Sequence, residues 1–307
     1  MISRRNIRVK VMQTLYSIES GSLDADPAKA ERSLDRLIDQ AVNLFTYCVY
    51  IIVEVARYAE TDSLRRSSKH RPSREDLNVN TKIAGNRLLW QIMEDKRFTE
   101  RCRKEGFEGM ADPGLVRELY RSLADSPQYK TYISAESRDA RSEREILVHL
   151  FGHVMMASEP LLFHMEEQFS QLDDDIEMIV GMVMNFLHKP ATYDFDLIVS
   201  IEKRNFSHRL LVLAIEKKEH CLDVIRPKLK NWDADRIAML DMVIMRLGVC
   251  ELLYFETIPA KVTINEYIDL AKDYSTPQSG QFVNGIIDGI HKDLEAQGLL
   301  QKTEYKK

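Results

Sequence analysis

Between Trp232 and Ile290 the chain contains a helix-forming run with almost no polar side. Ile237, Leu240, Val243, Ile244, Leu247, Leu252 and Leu253 recur along it, with Met239, Met242 and Met245 between them. A helix apolar on nearly every side is stable in water only when other helices surround it. The remainder of the sequence must therefore supply that surround. Asp233 is the expected N-cap of this central helix, with Trp232 stapling against Ile237. Downstream, Thr263-x-x-Glu266 reads as a capping box opening a helix through Ile264, Ile268 and Ala271. Ser279 is the expected cap of a last helix whose inner face is Val283, Ile286, Ile287 and Ile290. Gly285 and Gly289 inside that helix cost about 1 kcal/mol each relative to Ala, which predicts a backbone passing close by.

The upstream segments are helical as well. In Ser3–Glu19, Ile7, Val11, Leu15 and Ile18 recur at helical spacing, and Ser3 is the expected N-cap. Its first turns carry Arg4, Arg5 and Arg8, with no acid before Glu19. Cations there oppose the helix dipole by roughly 0.3 to 1 kcal/mol each. That uncompensated cost favours an anion site over a merely solvated turn. Residues 28–59 form one long apolar-periodic helix, whereas 61–78 is polar, basic and aperiodic and is expected to be an exposed loop. Short helical pieces follow, broken at Gly106, Gly109, Pro113 and Pro127. Further helices are expected over 139–169, 173–188 and 206–225. No strand-like alternation appears at any length, so the fold class is all-α.

Composition narrows the function classes. Only 12 Gly and 9 Pro in 307 residues suit long helices with few turns. The net charge of -5 argues against a generally basic nucleic-acid binder, so any cationic surface must be local. Two segments qualify: the first helix, and the loop with Arg65, Arg66, Lys69, His70, Arg71 and Arg74, for which solvation is the simpler reading. Cys48, Cys102, Cys221 and Cys250 form no CxxC pair and fit buried thiols in a reducing compartment. The apolar run at 41–53 is too short to span a membrane. A cytoplasmic protein without membrane partners is expected.

Catalytic signals are missing. His149 and His153 have zinc-helix spacing, but Leu150 stands where HExxH has Glu. The run Asp173–Asp175 suits a helix start. No GxGxxG, GxxxxGK[ST] or GxSxG occurs. No enzyme activity, metal or cofactor is expected.

The N-terminal SRRNIRVKVMQTLYSIE and the C-terminal RLGVCELLY…IPAKVTINEYIDLAKDYSTPQSGQFVNGIIDGI closely resemble NusB, the bacterial transcription antitermination family. NEYIDLAKDYS followed by FVNGIID is the most specific part. The resemblance covers residues 1–20 and 200–300, which it marks as a discontinuous RNA-binding core; 21–199 reads as a helical insertion. It implies two small helical bundles packed together, here enlarged by extra helices, with no enzymatic activity. It further implies binding to boxA RNA of ribosomal RNA operon leaders together with the ribosomal protein NusE, within an antitermination complex of RNA polymerase. By the same resemblance Arg4, Arg5, Arg8, Tyr16, Gln281 and Phe282 are RNA-binding positions, and Asp241 is a partner-binding position.

Two features cut across this expectation. Gln278 and Gln281 stand where other members carry an acid and a basic residue, which lowers the local positive charge. Phe282 lies beside the core positions Val283 and Ile286, so its residues alone fit a buried ring as well as a base-stacking one; the resemblance selects the second. The same domain also occurs in an RNA cytosine methyltransferase, but the catalytic domain of such an enzyme has no counterpart here. A helical protein–protein scaffold in transcription or ribosome assembly, with weak RNA binding, is the alternative.

Overall fold

The computed structural model describes residues 1–190, 193–229, 237–300 and 302. Among them are sixteen α-helices and no strand. In order these are α1 (Arg4–Glu19), α2 (Pro27–Ser67), α3 (Arg74–Leu77), α4 (Arg87–Glu94), α5 (Lys96–Lys104), α6 (Phe107–Met110), α7 (Pro113–Asp125), α8 (Pro127–Ser134) and α9 (Ala140–His149). A π-helical stretch, Leu150–Met155, continues α9. Then come α10 (Glu159–Gln168), α11 (Leu172–His188), α12 (Ile201–Glu216), α13 (Lys218–Ile225) with a 3-10 turn at Arg226–Leu229, α14 (Met239–Tyr254), α15 (Ala260–Tyr274) and α16 (Ser279–Ala296). The helices belong to two compact units. Unit 1 is Asp39–Val199 with Met1; unit 2 is Ile2–Ile38 with Ser200–Lys307.

In unit 1 the apolar stripe of α2 forms the core. Phe45 packs against Phe186, Tyr193 and Phe195, and Tyr47 against Phe107 and Phe169. The buried Tyr47 hydroxyl meets His164 Nε2 at 2.7 Å. Helix α2 is long and apolar enough to cross a membrane, yet 72% of its most apolar window is buried inside the protein, as in a core helix. The short helices start where their caps dictate. Asp112 accepts from Gly114 N ahead of Pro113, and Ser126 accepts from Tyr129 N ahead of Pro127.

Two expectations for this region change. The segment 61–78 is not a plain loop: α2 runs to Ser67, and Ser73 with Asp76 forms a capping box that starts α3. Buried Asp76 accepts from Arg66 Nε at 3.0 Å, Lys69 Nζ at 2.8 Å and the Ser73 backbone at 3.0 Å. The helix expected over 139–169 is broken, because Pro160 fits only in a first turn; Ser158 caps a new helix by accepting from Leu161 N.

In unit 2, α14 is the shared element of two groups, α1 with α12 on the one hand and α13, α15 and α16 on the other. Its buried residues lie on all sides, from Val243 to Leu252. It begins at Met239, and the expected cap at Asp233 and staple at Trp232 fall outside the described residues. The capping box at Thr263 and Glu266 is not one, because Pro259 in extended geometry starts α15 at Ala260, a turn earlier. Thr263 and Glu266 instead face inward on one side of α15. Ser279 is likewise inside α16 and makes no cap; its hydroxyl donates to Asp241 Oδ2 at 2.8 Å.

The glycine expectation also moves. Nothing lies within 4 Å of a Cβ built on Gly285, and Gly289 has only the Lys228 side chain near it, at 3.7 Å. The close approach occurs at Gly248, where a Cβ would stand 2.8 Å from Ile287 Cδ1 and 3.4 Å from the Tyr267 ring.

Candidate nucleic-acid interface

The three arginines at the start of α1 are sorted by depth. Ser3 caps the helix through Asn6 N, and Lys203 Nζ on α12 donates to the Ile2 carbonyl at 2.6 Å, which fixes the approach to the first turn. Arg4, part exposed, pairs with Glu202 and lies over the Phe206 ring at 5.8 Å. Arg5 donates to Asp269 at 3.2 Å and to Asp273 at 2.7 Å, both on α15. Partial burial alone would lower the pKa of Arg5, but the two aspartates outweigh it and raise it. Such surface pairs are worth about 0 to 1 kcal/mol, so a polyanion can exchange for them at little cost.

Arg8 belongs to a different environment. It is 2% exposed, and its guanidinium makes a two-pronged pair with Glu251, Nε to Oε2 and Nη2 to Oε1, each at 2.8 Å. Glu266 Oε2 is 3.4 Å away, and the Phe206 ring 5.3 Å. Glu251 also accepts from Thr263 Oγ1 at 2.9 Å and Tyr267 hydroxyl at 3.1 Å. Burial by itself lowers the pKa of Arg8, but the hydrogen bonds and charge of Glu251 raise it well above the ordinary value. A guanidinium engaged in this way holds α1 to α14 and α15. Its expected phosphate contact is corrected to a structural role.

The start of α16 meets the same neighbourhood. A Cβ on Gly280 would stand 2.6 Å from Lys272 Cγ, and Lys272 Nζ pairs with Asp269, the residue that also receives Arg5. The first turns of α1 and α16 therefore both flank the C-terminal half of α15. Gln281 there is exposed and Phe282 is half-buried, next in sequence to the buried Val283. Tyr16, 42% exposed, lies three turns beyond Arg5 on the same face of α1, about 16 Å along the axis.

Asp241 is not at the surface. It is 6% exposed and its carboxylate receives Ser279, so the expected partner contact is corrected to a link between α14 and α16. Its Oδ1 has no hydrogen-bond partner among the described residues.

Sequence reading missed the groups that answer these cations. Glu251 appeared as one acid in an apolar helix, and only the equally odd Arg8 and Arg246 in apolar contexts hinted at buried pairing. Arg246, also buried, donates to Glu19 at 2.7 Å, and Lys218 donates to the same carboxylate at 2.8 Å. Lys302 Nζ donates to the Glu251 and Phe255 carbonyls at the end of α14, at 3.0 and 2.9 Å. Burial pulls its pKa down to about 8.

Comparison with known proteins places the chain in a family. The family model described as NusB family matches residues 143–292. The transcription antitermination protein NusB of Finegoldia magna is 40% identical over 127 residues, which is 40% of this chain and 93% of that protein. The chain belongs to the NusB family. The NusB protein of Salinibacter ruber is 44% identical over 100 residues, 33% of this chain and 62% of its own length. That of Chloroherpeton thalassium is 34% identical over 108 residues, 35% of this chain and 51% of its own. The match thus spans between half and two thirds of those two NusB relatives. A solved structure of T. maritima NusB is 33% identical, covering 43% of this chain and 83% of that one, with a TM-score of 0.29. The family-model match begins within α9 in unit 1 and ends within α16 in unit 2.

Proposed function

We propose that the chain is a transcription antitermination factor that binds boxA RNA of ribosomal operon leaders, together with the ribosomal protein NusE, and promotes read-through by RNA polymerase. Residues 1–20 and 200–300 form the RNA-binding core in this reading, and 21–199 is an insertion without catalytic chemistry. Family membership and the relatives' designation as transcription antitermination proteins support it. The observation that carries it is the convergence of the first turns of α1 and α16 on the end of α15. That supports a reading in which Arg4, Arg5, Gln281 and the half-buried Phe282 share one RNA-facing surface. Arginines hold phosphates there, and a half-buried ring offers a face to an unstacked base, worth about 1 to 3 kcal/mol.

The ion pairs of Arg4 and Arg5 with Glu202, Asp269 and Asp273 keep this surface nearly neutral. Binding is then weak in isolation and strengthened by a partner that brings further cations. The same neutrality, with Gln278 and Gln281, is what favours the second reading, a helical scaffold with residual RNA affinity. Replacing Arg4 and Arg5 by Ala separates the two. In an anisotropy titration with boxA RNA the double variant should bind more weakly, and its log K against log salt slope should shrink by about 1.4, or 0.7 per lost phosphate contact. An unchanged slope removes both arginines from the interface and leaves the scaffold reading.

A further inference from the structure

Unit 1 has a cationic face of its own. Residues 61–82 hold six Lys and Arg against three Asp and Glu, in a chain whose net charge is -5. Four of the six have structural duties. Arg65 pairs with Asp62 at 2.6 Å, Arg66 and Lys69 are held by Asp76, and Lys82 Nζ donates to the carbonyls of Tyr132, Ala135 and Ser137. Arg65 and Arg66 also suit the negative end of α2. Arg71 and Arg74 have no such account. Both are exposed, and neither has an ion pair among the described residues; the same holds for Lys130 on α8. The buried Asp76 and the α3 capping box tie the ends of this segment down, so these cations are presented by folded backbone rather than by a free loop.

Beside them lies a cleft of about 570 Å³, lined by residues of α2, α3, α7 and α8 and by the segment that follows α3. Arg74 and Lys130 line it together with Asn78, Asn80, Glu75 and Tyr120. We propose that this face is a binding surface for single-stranded RNA, with Arg71, Arg74 and Lys130 on the phosphates and the cleft receiving a base. Cations at the rim match a phosphate backbone. Amide, phenol and carboxylate groups in one cleft offer both the donors and the acceptors that a base edge needs. An acidic peptide would use the cations but would meet Asp62 and Glu75 in the cleft. The proposal rests on unit 1 alone and is independent of whether Arg4 and Arg5 touch RNA.

The test uses the full chain, a short labelled U-rich RNA without boxA, and the variant Arg71→Ala, Arg74→Ala, Lys130→Ala. The triple variant should bind about tenfold more weakly at moderate salt, with a log K against log salt slope smaller by about 2, or 0.7 per contact. Added to the Arg4, Arg5 double variant, the three substitutions should cause the same further loss, whatever the double variant does by itself. Wild-type affinity and slope in the triple variant overturn the proposal. If the triple variant melts early, Arg71→Gln with Arg74→Gln takes its place, with an expected slope change of about 1.4; no change overturns the proposal equally. Polyglutamate that competes as well as unlabelled RNA also overturns it, in favour of an acidic-protein surface.

Discussion

A carboxylate held by two cations answers to pH differently from one in water. Glu19 receives Lys218 and the buried Arg246. Burial would raise its pKa, but these two partners outweigh that and hold it below the ordinary 4.5. A depressed folded-state pKa means the stabilisation is fully present above about pH 4.5 and is lost as pH falls through the folded value. Glu19→Gln should therefore cost about 2 kcal/mol at neutral pH. The difference in urea midpoint between variant and parent should shrink steadily below pH 4.5; a difference that persists unchanged to pH 3 refutes this account. The residue scale is also where sequence was least legible. Arg4, Arg5 and Arg8 look alike along the chain, yet two lie at the surface and one in the core. The distinction is made by Glu251, 243 positions away, and no local pattern in α1 contains it.

At the scale of elements, the glycines show which contacts the helices require. Gly248 lies where α14 meets α15 and α16, against Ile287 and Tyr267, both buried. Gly248→Ala forces those side chains to shift, at about 1 to 3 kcal/mol, less a gain in helix propensity of up to about 1 kcal/mol. Gly285 faces open space, so Gly285→Ala should stabilise by about 0.5 to 1 kcal/mol. Opposite shifts in melting temperature are the expected result; stabilisation by both would remove the tight seam at Gly248. Most of the helices were readable from apolar period and from Asp-Pro starts, since both signals are local. The start of α15 was not, because Thr263 and Glu266 have the spacing of a capping box while serving the buried Arg8–Glu251 cluster. Spacing shows that two residues share a helix face, and what that face meets decides their role.

At the scale of the molecule, the Arg8–Glu251 pair ties the two ends of a discontinuous unit. Arg8→Ala leaves a carboxylate that is 0% exposed without its cation, a loss of about 3 to 5 kcal/mol. Hydrogen exchange should then quicken across residues 2–38 and 200–300 and stay unchanged in 39–199; an equal rise in both would mean that they do not unfold as separate units. The division into units was not legible in the local sequence pattern. The family match runs over residues 143–292 and so crosses from one unit into the other, and nothing local announces that α2 begins in one unit and continues in the other. That arrangement has a consequence for synthesis. Unit 1 is continuous in sequence apart from Met1, so the ribosome releases all of it before most of its neighbour exists. Helix α1 emerges first and waits through some two hundred residues for α12 and α14, with Arg8 and Lys10 still uncovered. Until those helices are made, the native partners that bury α1 are absent.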